Sequence, residues 1–186
     1  MIWPFHRKTS TETGAQYYLR DAAVADARAL VDFKHRAWRA MLSHLKDDAF
    51  FAQAEATTDE QVKFWQSRIA KGDKVWIAED LRDRIIGTIH ATNKYSEHTS
   101  EFVELYSLGE VREIRFFYLV DDATAAIGKA LIDQAVGETP ALTWVSGNAP
   151  LVVQSLRDAG FADVGEPVDP AVAPWHGVVR QAMVRS

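Results

Sequence analysis

The chain has 186 residues, a formal net charge of −5, and 47% hydrophobic and 25% charged residues. This length and balance suit one globular domain with a sizeable core. No cysteine is present, which excludes disulfides, thiolate metal sites and a Cys nucleophile together. No dense Lys/Arg cluster occurs, so nucleic acid is not an expected partner. The opening MIWPFHRKTSTETG lacks the apolar run of a signal peptide. No segment approaches the roughly 20 apolar residues of a membrane span. A cytoplasmic protein without membrane association is expected.

Residues 1–15 are expected to form a loosely held extension, in which Trp3 and Phe5 are the residues able to dock on the body or a second subunit. One domain is expected over 16–186. A short strand over Gln16–Arg20 and a turn over Asp21–Ala25 lead into a long helix from about Asp26 to about His44. Leu30, Phe33, Ala37 and Met41 line one face of it, with Trp38 beside them. Phe50 and Phe51 fall in the connection that follows. Thr57, three residues before Glu60, reads as a capping box opening a helix through Ala70, stopped by Gly72. Lys74–Glu79 and Ile85–Thr92 flank a charged turn and predict a hairpin. Asn93–Ser100 reads as a polar loop, and Phe102–Leu108 as a further strand.

Glu113–Val120 is apolar and β-rich. Strict alternation places Ile114, Phe116 and Tyr118 on one face and Arg115, Phe117 and Leu119 on the other. Asp121 or Asp122 is expected to cap the helix that follows, where Ile127, Leu131 and Ala135 recur at one-turn spacing. A helix starting this abruptly after a buried strand presents unpaired N–H groups and a positive dipole end, an arrangement suited to a phosphate. Ala141–Ser146 reads as a buried strand, Asn148–Asp158 as a helix, residues 166–174 as a Pro-rich loop, and Gly177–Val184 as a closing strand. The order of elements implies a mixed α/β architecture.

The segment EVREIRFFYLVDDATAAIGKALIDQAV resembles motif A of the GNAT N-acetyltransferases. There a strand ending Val-x-Pro leads into Gln/Arg-x-x-Gly-x-Gly/Ala, which cradles the pyrophosphate of acetyl-CoA. Here the loop is Ala123 to Gly128, and only Gly128 keeps the family residue. Leu119-Val120-Asp121 stands for Val-x-Pro, Ala123 for the Gln/Arg and Ala126 for the first glycine. TWVSGNAPLVVQSLRDAGF resembles motif B through Asn148 and Gly160-Phe161, with one extra residue between them. The opening strand, Arg-Asp-Ala-Ala and helix also look like the start of such domains.

The resemblance implies a GNAT-like fold, with a mostly antiparallel central sheet carrying helices on both faces. It implies acetyl-CoA as co-substrate, held by Tyr118, Leu119, Val120, Thr124, Ala125, Ala126, Gly128, Lys129 and Asn148. Trp38, Met41 and His44, with Phe50 and Phe51, would wall the acceptor cleft. Glu113 lies six residues before Leu119, the spacing of the histone-type family base, and is the candidate proton acceptor. A surface Glu paired with Arg112 or Arg115 is the alternative reading, and Glu104 and Glu110 are rivals. The family Tyr that protonates the departing thiolate falls near Ser155 or Leu156, neither of which is a comparable acid. Few glycines in the loop, together with Asp121 and Asp122, imply weaker acyl-CoA binding than a full loop would give.

An N-acetyltransferase acting by direct attack of a small-molecule or peptide amine is therefore expected. A catalytically inactive GNAT-fold module, binding acyl-CoA or serving regulation, is the alternative. The acidic balance inclines the acceptor towards a cationic amine. Six dispersed histidines with no ligand spacing predict no metal site. The oligomeric state stays open, a homodimer among the arrangements considered.

Overall fold

Val75–Glu79 (β3) and Ile85–Thr92 (β4) pair antiparallel across the charged turn, as their apolar runs dictate. The structure, a computed structural model, describes residues 7–10, 16–120, 122–170 and 174–186. Ahead of this hairpin come β1 (Arg7–Ser10), β2 (Gln16–Asp21), α1 (Ala27–Leu42), α2 (Asp48–Ala56) and α3 (Thr58–Ala70). After it follow α4 (Glu97–Leu105), β5 (Arg112–Leu119), α5 (Ala125–Val136), β6 (Ala141–Ser146), α6 (Pro150–Asp158), β7 (Ala162–Val168) and β8 (Arg180–Arg185). The described strands form one eight-stranded sheet in the order β1-β2-β3-β4-β5-β6-β8-β7. Every pairing is antiparallel except β5 with β6.

Both faces are covered. Ile127, Leu131 and Ile132 of α5 and Val152 and Leu156 of α6 bury one face, against Ile86, Ile89, Ile114, Phe117, Val145 and Met183. Leu30, Val31 and Phe33 of α1 and Val62 and Trp65 of α3 bury the other, against Val75, Ile77 and Ile85. α4 extends that second layer, packing Phe102 on Leu142, Ala182 and Val184.

Several elements differ from expectation. Arg7–Ser10, part of the expected loose extension, adds an edge strand through pairing with Gln16–Leu19. Trp3 and Phe5 lie outside the described residues. Residues 48–56 form a helix capped by Asp47, whose carboxylate accepts from Phe50 N at 3.0 Å. Thr57 therefore closes a helix as well as opening one. Its hydroxyl donates to Ala54 O instead of completing a capping box. Phe102–Leu108 is not a strand, because Ser96 caps a helix at Glu97 by accepting from Thr99 N. Asp122 does not cap α5, since Thr124 does so by accepting from Ile127 N. Asp121 lies outside the described residues. Residues 162–168, expected to run from a helix end into a loop, form β7 beside β8.

Gly128 owes its identity to helix packing. A Cβ there would stand 2.6 Å from Ser155 Cβ and closer still to its hydroxyl. Ser155 is fully buried and donates to Leu151 O, so it occupies the α5–α6 contact. Gly128→Ala is expected to cost about 1–3 kcal/mol by overpacking. The cost should shrink in a Ser155→Gly background, as measured by urea denaturation, and equal costs in the two backgrounds would contradict this packing.

His90 is 2% exposed, between Trp65 and Phe116. Burial, reinforced by Arg68, pulls its pKa down to about 4 against the opposing pull of Asp73. Between that value and the ordinary 6.5 the unfolded chain binds a proton that the native one refuses. Its contribution, on the order of 3 kcal/mol, is full above the unfolded pKa and lost as pH falls through the folded one. In His90→Phe the decline in stability over this window should flatten, and an unchanged slope would contradict the assignment.

Candidate active site

The site begins with an extra residue in β5. His90 faces Phe116 and Ala91 faces Ile114, so Arg115 bulges out of the β4–β5 ladder. The bulge reverses the alternation read from sequence. Ile114 joins Phe117 in the α5/α6 core, whereas Phe116 and Tyr118 face α1 and α3. A bulge also bends its strand, and the bend falls where β5 leaves β6. These two strands pair only at Arg112–Ala141, Glu113–Leu142 and Ile114–Thr143. Thr143 closes the last step by donating to Ile114 O at 3.0 Å. Beyond it β5 stays with β4 and β6 with β8, and the facing edges of residues 115–119 and 144–146 part.

The gap is a cleft of about 610 Å³. Tyr118 and Leu119 from β5, Val120 just after it, Asn148 after β6, and Trp38 and Met41 from α1 all line it. Six expected site residues from three elements therefore meet in one place. His44 lies at its margin, its Nε2 3.1 Å from Asn148 Oδ1. Asn148 Oδ1 can only accept, so this contact places the proton on His44 Nε2. Asn148 also donates to Ser146 Oγ at 3.1 Å. Phe50 and Phe51 do not line the cleft. They are buried with Leu42 and Val178, supporting its wall from behind.

The remaining predicted residues lie elsewhere. Thr124, Ala125, Ala126, Gly128 and Lys129 form the start of α5, beyond the cleft proper. Thr124 satisfies the amides of Ile127 and Gly128, while those of Ala125 and Ala126 have no acceptor among the described residues. Lys129 pairs with Asp133 at 2.8 Å along the helix. Asp122 is held by Arg84 at 3.0 Å, which also holds Asp80. The carboxylate near this helix start is thus partly neutralised.

Glu113 is 5% exposed and lines a neighbouring cavity of about 480 Å³. Its carboxylate accepts from Ser96 N at 3.0 Å, Thr99 Oγ1 at 2.9 Å and Arg115 Nε at 3.3 Å. It anchors the start of α4. Arg115, Trp144 and Arg180 border both cavities, so the two adjoin.

Sequence reasoning missed Trp175, Arg115 and Arg180 in the cleft wall. Trp175 stands edge-on to Trp38 at 4.7 Å and to Phe50 at 5.4 Å. An aromatic residue directly after a Pro-rich loop was the available signal. Tyr118 Oη accepts from Trp38 Nε1 at 3.1 Å, and burial pushes its pKa up to about 12. Trp38 can only donate, so the phenolic proton stays free for the cleft.

No family model matches the sequence, and no curated protein matches it. Solved structures do. The PaiA N-acetyltransferase of Thermoplasma acidophilum, in complex with coenzyme A, superposes with a TM-score of 0.63 at 14% identity, covering 91% of this chain and 98% of that one. The GNAT-superfamily phosphinothricin acetyltransferase of Sinorhizobium meliloti, in complex with AcCoA, gives 0.60 at 20% identity, covering 91% and 87%. The ribosomal-protein-alanine N-acetyltransferase of Brucella melitensis gives 0.59 at 18% identity, covering 90% and 98%. Identities this low speak for the backbone alone. The chain has the GNAT acetyltransferase fold.

Proposed function

We propose that the protein is an N-acetyltransferase that takes acetyl-CoA as co-substrate and a small-molecule or peptide amine as acceptor. The observation that carries this reading is the parting of β5 and β6 beyond Ile114–Thr143. It leaves two strand edges without partners, and an amide-containing pantetheine chain satisfies them as a third strand would. Structural neighbours holding coenzyme A or AcCoA support the same reading. The free amides of Ala125 and Ala126 and the Thr124 hydroxyl would take the pyrophosphate at the positive end of α5.

The amine nitrogen attacks the thioester carbonyl, and the carbon–sulfur bond breaks as the amide forms. The absence of Cys fits this direct route. The amine's proton passes through the adjoining cavity towards Glu113. Tyr118 serves as a hydrogen-bond donor rather than the proton source. From a pKa of about 12, protonating a thiolate of about 8.5 would run uphill by about 5 kcal/mol. The departing thiolate takes its proton from water.

The alternative, a GNAT-fold module without catalysis, is favoured by one observation. Ser155, where the family acid would fall, is buried against Gly128. Thiol release from acetyl-CoA over a panel of amines separates the two readings. The enzyme releases thiol above the amine-free rate with at least one acceptor class, and the module with none.

Glu113→Gln should then lower kcat tenfold or more, most steeply at low pH. Thr99→Val, which loosens the same anchor without removing the carboxylate, should leave kcat within about threefold, in keeping with a single lost hydrogen bond. Equal losses in both variants would make Glu113 a structural anchor only.

A further inference from the structure

Trp38, Met41, Tyr118, Trp175 and Arg180 wall the cleft on the α1 side of the sheet. Arg180 opens β8 opposite Ser146. Alternation along β8 sets it on the face of Ala182 and Val184, away from Met183 in the α5/α6 core. Its guanidinium lies 5.2 Å from the centre of the Trp175 ring. Among the described residues no carboxylate ion-pairs with it and no acceptor takes its N–H groups.

The contrast with Arg20 is instructive. That guanidinium, also part-buried, holds Glu79 at 2.5 Å and Asp26 at 2.7 Å. A part-buried guanidinium with no anion is costly. Burial pulls the Arg180 pKa below its usual value, with Tyr118 acting the other way. The carboxylates that line the adjoining cavity, Glu113 and Asp169, are already engaged. Glu113 is bound to Ser96, Thr99 and Arg115, and Asp169 accepts from Gly177 N at 2.7 Å and stands 3.9 Å from His176. Among the described residues no Asp or Glu lines the cleft itself, whose charged side chains there are Arg115 and Arg180.

Building on the acetyl-transfer reading, we propose that the acceptor is a carboxylate-bearing amine of amino-acid type. Its carboxylate sits on Arg180 and its apolar remainder lies against Trp38 and Trp175. A guanidinium fork matches a carboxylate bidentately, and the aromatic walls suit an apolar side group. The phosphate end of the cofactor belongs at α5, on the opposite face of the sheet, which leaves Arg180 for the acceptor. The overall charge of −5 inclines towards cations, but the nearest charges dominate in a covered site.

The test is a titration of the full chain with saturating coenzyme A, followed by intrinsic tryptophan fluorescence. The probes are free apolar amino acids, their carboxamides and spermidine. The acids are expected to bind at least tenfold tighter than matched amides. Arg180→Gln should abolish that preference while acetyl-CoA affinity stays within threefold, and Arg180→Lys should retain part of it. Amides or spermidine binding as tightly as the acids would overturn the proposal. So would a preference that survives Arg180→Gln, or a tenfold loss of acetyl-CoA affinity in that variant, which would assign Arg180 to the cofactor. Selective binding of acids without thiol release from acetyl-CoA would leave the anion site standing and sink the transfer reading.

Discussion

A single surplus residue in the middle of the sheet sets the geometry on which everything functional depends. Arg115 bulges from β5 one position after the last β5–β6 pairing, and a bulge both bends a strand and changes which side chains share a face. The bend opens the sheet where two central strands would otherwise stay bonded. The face change turns Phe116 and Tyr118 towards α1, so Tyr118 meets Trp38. Without it Tyr118 would point into the α5/α6 core and the cleft wall would lose its phenol. An open edge in mid-sheet leaves backbone groups unsatisfied, an arrangement that suits a ligand able to take their place.

The surrounding layers hold that opening in shape. On one side, Gly128 lets α5 approach α6 against Ser155. This contact fixes the start of α5, where the amides of Ala125 and Ala126 have no acceptor among the described residues. On the other, Glu113 ties the start of α4 to β5, and Trp144 donates to the same Thr99 hydroxyl at 3.2 Å. Trp175 packs edge-on to Trp38 and Phe50, so the residues before β8 and the helices α1 and α2 close the α1 side of the cleft together. The site is assembled from elements distant in sequence, each positioned by packing rather than by local propensity.

Much of this frame was legible in the residues. The β3–β4 hairpin, the α1 and α5 stripes and the β5-to-α5 step follow directly from apolar periodicity and turn chemistry. Tyr118 and Asn148, singled out through two short motifs, and Trp38, through the opening strand and helix, line one cleft. The failures have physical causes. Phe102–Leu108 carries enough apolar and aromatic residues to read as a strand, and short runs cannot be assigned by period alone. Ser96 and a distant Glu113 decide for helix. The bulge at Arg115 is invisible without its partner strand, because an unpaired residue leaves no mark in one chain. Arg180 could not be singled out because its distinction is the lack of a partner among the described residues, a property of the assembled fold.

The central claim is that the parted strands and the start of α5 together bind acetyl-CoA despite the few glycines of the loop. Calorimetric titration of the purified chain with acetyl-CoA, with dephospho-CoA and free acetate as controls, tests it most directly. Saturable one-to-one binding in the micromolar range, absent with acetate, is the predicted result. No detectable heat of binding at millimolar acetyl-CoA would contradict the account, and the cleft would then have to serve a ligand of another kind.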